Sequence, residues 1–260
     1  MGQFDFDSAA ALSRIKSEAL SSFSAGKTSS RLLGIGSKLL ELLGAAGAAT
    51  LGDLIQDLKN LAVEKDEGNL IYFAEAFVSD LRRLYQLNEE MRKRVEEVLR
   101  SDKLDQAVGN ATLHITRTNV QKRIARVALL IANGVKANDL EPESLDDLMR
   151  AAVELKDQDV VLLRKIYQSQ LSLLLQDARR PGRAPDAWHQ DIQGIWHGFV
   201  SDGGLNQREH LLYRSSLSRL ESFGFIQHVS NAGMYGVGLD PYALLEEGRL
   251  FCERILEIAD

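Results

Sequence analysis

The sequence predicts a mainly helical protein: a multi-helix body followed by a small C-terminal α+β unit with one β-hairpin. Only four prolines occur in 260 residues, and helix-forming residues dominate, so long helices are expected. Apolar residues recur at three- and four-residue spacing over most of the chain. The alternation typical of strands is confined to the stretch after Gly224.

The composition is that of an ordinary globular protein, with 45% hydrophobic and 26% charged residues. The formal charge of −6 provides no general attraction to nucleic acid or to an anionic membrane, so either partner requires a local basic patch. The single cysteine, Cys252, can form neither an intramolecular disulfide nor a thiolate metal site, which indicates a reducing compartment. Residues 1–16 are acidic before any apolar run, unlike a signal peptide, so a cytoplasmic location is expected.

Residues 1–60 predict an amphipathic arm followed by a glycine- and alanine-rich helical segment. Small residues are dense in residues 34–52, and small residues allow helices to approach closely. Lys38 and Glu41 interrupt the apolar stretch and leave it short of the about 20 residues that span a bilayer. We therefore expect a packed helical hairpin here, with association to a membrane surface as the alternative.

Residues 61–180 predict a helical body. Apolar residues repeat at helical spacing from Leu70 to Leu84 and mark a core helix. Residues 88–100 carry dense charge with few apolar anchors, as on a solvated helical face. The next helix is expected to begin near Ser101 and to stop at Gly134.

Two further helices and a boundary follow. Pro142 suits the first turn of a helix, and Asp157 or Asp159 is expected to cap the helix after it. The sequence ARRPGRAP at residues 178–185 contains two prolines and a glycine, and we place the domain boundary there.

Residues 186–260 predict a separate unit in the order helix, helix, hairpin, helix. Gly224 is expected to end the second helix. FIQHV, a short turn and YGVGLD predict two strands, and the segment from Pro241 onward returns to helical spacing. This is the element order of a winged-helix unit.

Two runs of this region resemble known proteins. LSRLESFGFIQHV and LDPYALLEEGRLFCERI resemble the end of many bacterial winged-helix domains. VQKRIARVALLIANGV and LDDLMRAAVELKDQDVVLLRKIY resemble poorly characterised bacterial helical proteins, including abortive-infection-like ones associated with phage defence or stress. The likeness covers about residues 120–260, rests on hydrophobic pattern, and assigns no functional residue. Asp240-Pro241-Tyr242 departs from the threonine-glycine start that is frequent in such closing helices, which puts detailed equivalence in doubt.

A winged helix typically places its second or third helix in the DNA major groove and holds phosphates with lysine and arginine. The candidate contacts to nucleic acid or to a protein partner on the second helix are Arg208, His210, Arg214, Ser218 and Arg219. Residues 186–260 nevertheless carry five arginines against eleven carboxylates, which disfavours phosphate binding. This charge balance favours a protein-binding or self-associating unit over a DNA reader.

The body has one basic cluster, formed by Arg117, Lys122, Arg123 and Arg126. On a continuous helix Arg117 and Lys122 lie far apart, whereas Lys122 and Arg126 are four residues apart and share a face. Lys122 and Arg126 are therefore the candidate contacts for an anion. A solvated helix face explains the same residues without a ligand.

The sequence contains no recognisable catalytic, cofactor or metal motif. AGKTS at residues 25–29 resembles the tail of a phosphate-binding loop, but Ser21 stands where the first glycine is required, and the loop follows a helix instead of a strand. His189, Asp191 and His197 lack thiolate neighbours and close ligand spacing for a metal. We expect a non-enzyme with no cofactor and no small-molecule substrate.

These patterns predict a non-enzymatic bacterial interaction, sensor or adaptor protein, with a protein partner or a second copy as its binding target. A role in phage defence or stress response is what the resemblance implies. Two alternatives stay open: an effector that perturbs membranes through residues 34–52, which would make the cytoplasmic chain membrane-associated, and a winged-helix regulator that binds DNA.

Overall fold

The structure is a computed structural model, and it describes residues 35–44, 50–61, 67–179, 191–196, 198, 207–229 and 241–255. This part of the chain is mainly helical with one small two-stranded antiparallel sheet, which confirms the mainly α class. No helix within these ranges is long and apolar enough to cross a membrane. The predicted N-terminal arm lies outside the described residues, as do the strand expected at residues 235–240 and most of ARRPGRAP.

The contacts between residues divide the chain into two units. One comprises residues 1–149 with 257–260, and the other comprises residues 150–256. In the first unit the helices are α1 (Ile35–Leu42), α2 (Leu51–Leu61), α3 (Glu67–Leu87), α4 (Glu89–Leu99), α5 (Asp102–Ile115), α6 (Gln121–Ala137) and the start of α7 (Pro142–Glu154). The second unit contains the end of α7, α8 (Asp157–Arg179), a helical stretch at residues 191–196, α9 (Gln207–Ser222), β1 (Ile226–His228), β2 (Tyr242–Leu244) and α10 (Glu246–Arg254).

The division between the units differs from the sequence-based boundary at residues 178–185. It falls inside α7, between Met149 and Arg150. Helix α8, which the sequence assigns to the body, packs against α9, β2 and α10. Prolines and glycine in the sequence indicate an irregular segment, but a domain boundary depends on which elements pack together, and that is given by these contacts.

Helix α3 is the core helix of the first unit, as its periodicity predicts. It packs against α6 and α4, and its buried apolar residues include Leu70, Phe73, Phe77, Leu81 and Leu84. The rings of Phe73 and Phe77 stack with centroids 5.7 Å apart. Burial of this stripe on two neighbouring helices stabilises the unit through the hydrophobic effect.

Helices α1 and α2 pack against each other, as expected for the small-residue segment. The start of α2 carries a reciprocal cap: the Thr50 hydroxyl accepts from the Asp53 amide at 3.3 Å, and the Asp53 carboxylate accepts from the Thr50 amide at 2.8 Å. Leu39, Leu54 and Leu58 are buried. Of these three, Leu39 belongs to the segment 34–52 that the membrane alternative requires, and it lies in the core of the first unit.

The single helix expected from Ser101 to Gly134 is wrong. The structure has two helices, α5 and α6, separated by residues 116–120. The Asn69 side chain donates to the carbonyls of Ile115 and Thr118 at 3.0 and 2.5 Å, so these carbonyls are bonded outside the helix. Helix α6 also continues past Gly134.

The end of α6 lies at Asn138, which adopts the left-handed conformation with φ 54°. The Asp139 amide donates to the Gly134 carbonyl at 2.9 Å, as in a Schellman motif. A break at Asn88, whose side chain caps α4 by accepting from the Met91 amide at 2.8 Å, also separates α3 from α4.

The first predicted strand is confirmed, and the predicted start of the closing helix is wrong. FIQHV contains β1, which pairs with β2 in the register Ile226↔Leu244, Gln227↔Ala243 and His228↔Tyr242. The sequence places Tyr242–Leu244 in the closing helix, but their backbone pairs with β1 and α10 begins only at Glu246. Gly224 ends α9 as predicted, with φ 68°.

Helix α10 lies close to the backbone of the preceding loop. A Cβ at Gly248 would stand 2.3 Å from the Phe225 carbonyl oxygen, so only glycine permits this approach. The rings of Phe225 and Phe251 are 4.9 Å apart, and Cys252 is buried, as its apolar neighbours predict. These contacts fix the hairpin against the closing helix.

Candidate functional site

Helix α9 carries five of the seven candidate contact residues, and its two faces differ. Leu217 and Leu220 are buried and attach the helix to the second unit. Its exposed residues in the last two turns are Arg214, Ser215, Ser218, Glu221 and Ser222, which we call the α9 face. The side chains of Arg208 and His210 lie outside the described residues.

Arg219 does not belong to the α9 face. Its Nε lies 2.9 Å from Oδ2 of Asp159, and its Nη2 lies 2.7 Å from Oδ1, so the guanidinium donates a pair of parallel hydrogen bonds. The Asp159 side chain is fully buried and that of Arg219 is 31% exposed. Of the predicted contacts Arg214, Ser218 and Arg219, the structure therefore places two on one exposed face and directs the third inward.

The carboxylate of Asp159 has further donors. Its Oδ2 accepts from the Lys156 amide at 2.9 Å, which caps α8 from the third position of its first turn. Burial would raise the pKa of Asp159, but hydrogen bonds from Arg219, Ser216 and Lys156 lower it below its usual value. The charged carboxylate is thereby stabilised in a buried position.

Both edges of the small sheet are occupied by side chains of the second unit. Gln170 of α8 is 1% exposed. Its Nε2 donates to the Tyr242 carbonyl at 2.8 Å and its Oε1 accepts from the Leu244 amide at 2.9 Å, so it bonds β2 as a neighbouring strand would. On the other edge Glu221 accepts from the His228 amide at 3.2 Å.

The second anion candidate, Lys122 with Arg126, lies on α6. The two residues share a helical turn as predicted, but Lys122 is exposed whereas Arg126 is half-buried. Neither is without an interaction partner in the structure. Arg117 stands in the break before α6 and is exposed, so the geometry separates the predicted basic cluster into an exposed pair and two half-buried arginines.

The described residues contain no group of three or more His, Cys, Asp or Glu side chains that could hold a metal ion. His114 is buried on α5, and its Nε2 lies 2.9 Å from the Asp146 carboxylate. Burial raises the pKa of the Cys252 thiol to about 12. His189 and His197 lie outside the described residues.

Comparison with protein-family models, with curated proteins and with solved structures finds no match to the chain. The function therefore rests on the geometry of the chain's own residues.

Sequence reasoning missed Asp159 and Gln170 as site-shaping residues. The signal for Asp159 is present in part, because a carboxylate at a helix start is a capping residue, but its partner lies 60 residues away. Residues 150–256 also carry twelve Lys and Arg against thirteen Asp and Glu. The acidity expected of the C-terminal unit is thus nearly balanced once α8 and the segment after it are included.

Proposed function

We propose that the chain is a non-enzymatic interaction protein whose second unit binds a protein partner through the α9 face. The observation that carries this proposal is the pair formed by Arg219 and Asp159. It leaves one arginine, one glutamate and three serines exposed on the last two turns of α9. A protein partner that presents a carboxylate to Arg214 and a cation to Glu221 would match this face, because complementary charge selects partners and fixes their register.

DNA binding is the alternative that this geometry disfavours. A groove-binding helix needs several cations for phosphates, since phosphate contacts supply most of the affinity. Among the described side chains of α9, Arg214 is the only exposed cation, and Glu221 lies two turns away on the same face. The net charge of residues 150–256 is nearly balanced and does not by itself disfavour DNA.

The sheet is a poorer binding surface for a protein partner than the α9 face. Strand addition needs a free edge, but Gln170 bonds the edge of β2 and Glu221 accepts from the amide of His228 on β1. A winged-helix arrangement of the unit is part of the proposal. It is supported by the order of α9, β1, β2 and α10, with a helical stretch at residues 191–196 before them.

We propose a bacterial stress or phage-defence setting only on the resemblance of residues 120–260 to helical proteins of such loci. In that setting the chain would act as a sensor or adaptor, and its partner would be a second protein or a second copy. The burial of Ile35 and Leu39 on α1 disfavours the membrane-perturbing alternative.

The test is photo-crosslinking in the cells that naturally produce the chain. A photo-reactive amino acid in place of Ser218 on the α9 face should give a discrete protein adduct, and Arg214→Glu should remove that adduct. The matched control is the same amino acid in place of Gln168, an exposed residue of α8 in the same unit. Equal adducts at both positions would contradict the proposal.

A second arm addresses DNA directly. The purified chain should not retard random-sequence duplex at low salt, where electrostatic binding is strongest. Retardation that Arg214→Ala abolishes in a normally folded variant would establish the DNA-binding alternative instead. Arg219 is unsuitable for this arm, because its replacement leaves Asp159 buried without its main partner.

A further inference from the structure

One face of α3 remains accessible to a partner along most of the helix. The buried residues of α3 lie on the side that packs against α6 and α4. On the opposite side five residues are exposed or half-buried, and we call them the α3 stripe: Tyr72, Glu75, Ser79, Arg83 and Gln86. At roughly 100° of rotation per residue they lie within about 80° of the helix circumference, so they form one continuous surface.

Two charged side chains of the α3 stripe lack a partner among the described residues. Glu75 and Arg83 are half-buried, and neither side chain forms a hydrogen bond or an ion pair in this part of the chain. Burial raises the pKa of Glu75, and no hydrogen bond or nearby cation opposes this effect. A half-buried charge without a partner is unfavourable. Both groups therefore suit an opposite charge supplied by another molecule.

The α3 stripe is symmetric about Ser79. Glu75 lies four residues before Ser79, and Arg83 lies four residues after it. Tyr72 and Gln86 lie seven residues before and after it. When two antiparallel copies of α3 are related by a two-fold axis at Ser79, each Glu75 faces the Arg83 of the other copy. Within one chain the two cannot pair, because they are about 12 Å apart along the helix axis.

We propose that the α3 stripe is a self-association surface, on which two copies of α3 pack antiparallel with the two-fold axis at Ser79. Each Glu75 carboxylate accepts hydrogen bonds from the Arg83 guanidinium of the other copy, so the dimer contains two equivalent ion pairs. Each Tyr72 ring packs over the Gln86 side chain of the other copy. The partner that this surface fits is a second copy of the chain.

Charge selects the antiparallel arrangement over the parallel one. Parallel copies would place Glu75 against Glu75 and Arg83 against Arg83, and like charges that meet in an interface are unfavourable. Ser79 at the two-fold axis is small, as is the neighbouring Ala76, so the helix axes can approach to about 8 Å. At that separation the longer side chains on both sides of the crossing reach each other.

A second copy also fits the α3 stripe better than a polyanion does. Nucleic acid or an anionic lipid surface would bring further negative charge to Glu75, whose burial already disfavours its charged form. One anion and one cation give such a partner no net attraction. A second copy, in contrast, pairs both charges at once.

The inference goes beyond the proposed function, because the α3 stripe lies in the first unit and the α9 face lies in the second. The failure of one therefore leaves the other standing. Arg214→Glu, which tests the α9 face, should leave self-association through α3 unchanged.

The first test is sedimentation velocity of the full-length chain and of two charge variants. The unaltered chain should form a dimer as its concentration rises. Glu75→Arg and Arg83→Glu should each raise the dimer dissociation constant at least about tenfold, because two attractions become two repulsions. Lys93→Glu, an exposed change on α4 in the same unit, should leave the constant unchanged.

An equimolar mixture of the two charge variants should dimerise again. In that mixture one chain carries only positive charge at positions 75 and 83, and the other carries only negative charge, so both ion pairs form between unlike chains. Recovery of the dimer would also show that the variants are folded, which circular dichroism checks for each variant alone.

The second test addresses the register of the two helices. Ser79 of both copies lies at the two-fold axis, so mild oxidation of Ser79→Cys should give a disulfide-linked dimer, which requires Cα atoms within about 7 Å. Gln86→Cys, exposed on the same face, should give little, because Tyr72 is its counterpart. The native Cys252 is buried and does not compete.

Each test has a result that would overturn the proposal. In sedimentation it is an unaltered chain that stays monomeric at the highest concentration reached, or a dimer that both charge variants leave intact. For the mixture it is two folded variants that stay monomeric together. In the oxidation it is a linked dimer that forms from Gln86→Cys as readily as from Ser79→Cys.

Discussion

Asp159 at the start of α8 and Arg219 on α9 form an ion pair with two hydrogen bonds, and the Asp159 carboxylate is fully buried. The distances are 2.9 Å from Nε to Oδ2 and 2.7 Å from Nη2 to Oδ1. The same carboxylate accepts the Lys156 amide, so it joins the cap of one helix to the flank of another. A buried charge is tolerated only with such partners. The pair thus fixes α9, and with it the orientation of the α9 face.

Replacing Arg219 should destabilise the second unit strongly. In Arg219→Ala the carboxylate of Asp159 remains buried with only its backbone and serine donors, and breaking a buried pair from one side costs about 3–5 kcal/mol. Urea denaturation followed by circular dichroism measures the change. Arg214→Ala is the matched control on the same helix and should stay within about 0.5 kcal/mol, because its side chain is exposed. Similar losses in both variants would contradict an inward role for Arg219.

Acid should release the same pair. The hydrogen bonds to Asp159 outweigh its burial and lower its pKa in the folded state. A group whose folded pKa is depressed stabilises the fold above its unfolded pKa of about 3.9, and that stability is lost as the pH falls through the lower folded value. When denaturation is measured at a series of pH values from 7 to 2, the midpoint should therefore decrease once the pH is below about 4. A double variant, Asp159→Leu with Arg219→Met, should lose less stability over that interval than the unaltered chain.

The sequence predicts the parts of this fold that depend on local spacing. Two examples are the apolar stripe of α3 from Leu70 to Leu84 and the helix end at Gly224. Each can be predicted because the residues that determine it are close together in the sequence. The pairing of Asp159 with Arg219 is not, since 60 residues separate the partners. The same holds for the break after Ile115, which depends on Asn69, 46 residues earlier. Side chains that bond a distant backbone override the local preference for helix.

Gln170 should be required for the position of β2. Gln170→Ala leaves the Leu244 amide and the Tyr242 carbonyl without this partner, at an expected cost of about 2–4 kcal/mol. Gln168→Ala, an exposed change on the same helix, should have little effect. Thermal denaturation compares the two, and equal midpoints would contradict the role assigned to Gln170.

Gln170→Glu refines this prediction through its pH dependence. A carboxylate accepts the Leu244 amide but has no hydrogen for the Tyr242 carbonyl unless it binds a proton. The folded state then binds a proton more readily than the unfolded state, so stability is greatest at low pH and is lost as the pH rises. Relative to Gln170→Ala, the free energy of unfolding of Gln170→Glu should therefore be higher at pH 4 than at pH 7. The bonds from Gln170 to β2 also explain why periodicity alone misplaces Tyr242–Leu244, since the second partner of this strand is a side chain of α8.

Cys252 should be chemically silent in the folded protein. Burial raises the pKa of its thiol to about 12, and the reactive species is the thiolate. A chromogenic disulfide reagent at pH 8 should therefore label the native chain far more slowly than the urea-unfolded chain. Rapid labelling of the native protein would mean that α10 opens readily. The rate at increasing urea reports how tightly that helix is held.

Gly248 should tolerate no side chain. A Cβ there would lie 2.3 Å from the Phe225 carbonyl oxygen and 2.9 Å from a methyl carbon of Leu244, and the carbonyl belongs to backbone that cannot rotate away. Gly248→Ala should therefore cost about 1–3 kcal/mol, as overpacking does, despite the better helix propensity of alanine. Gly194 is the matched control, because it is also helical, lies in the same unit and has no atom within 4 Å of an added Cβ. Gly194→Ala should be neutral or stabilising by up to about 1 kcal/mol. If both substitutions stabilised the second unit in urea denaturation, α10 would not approach the Phe225 backbone as closely as the structure shows.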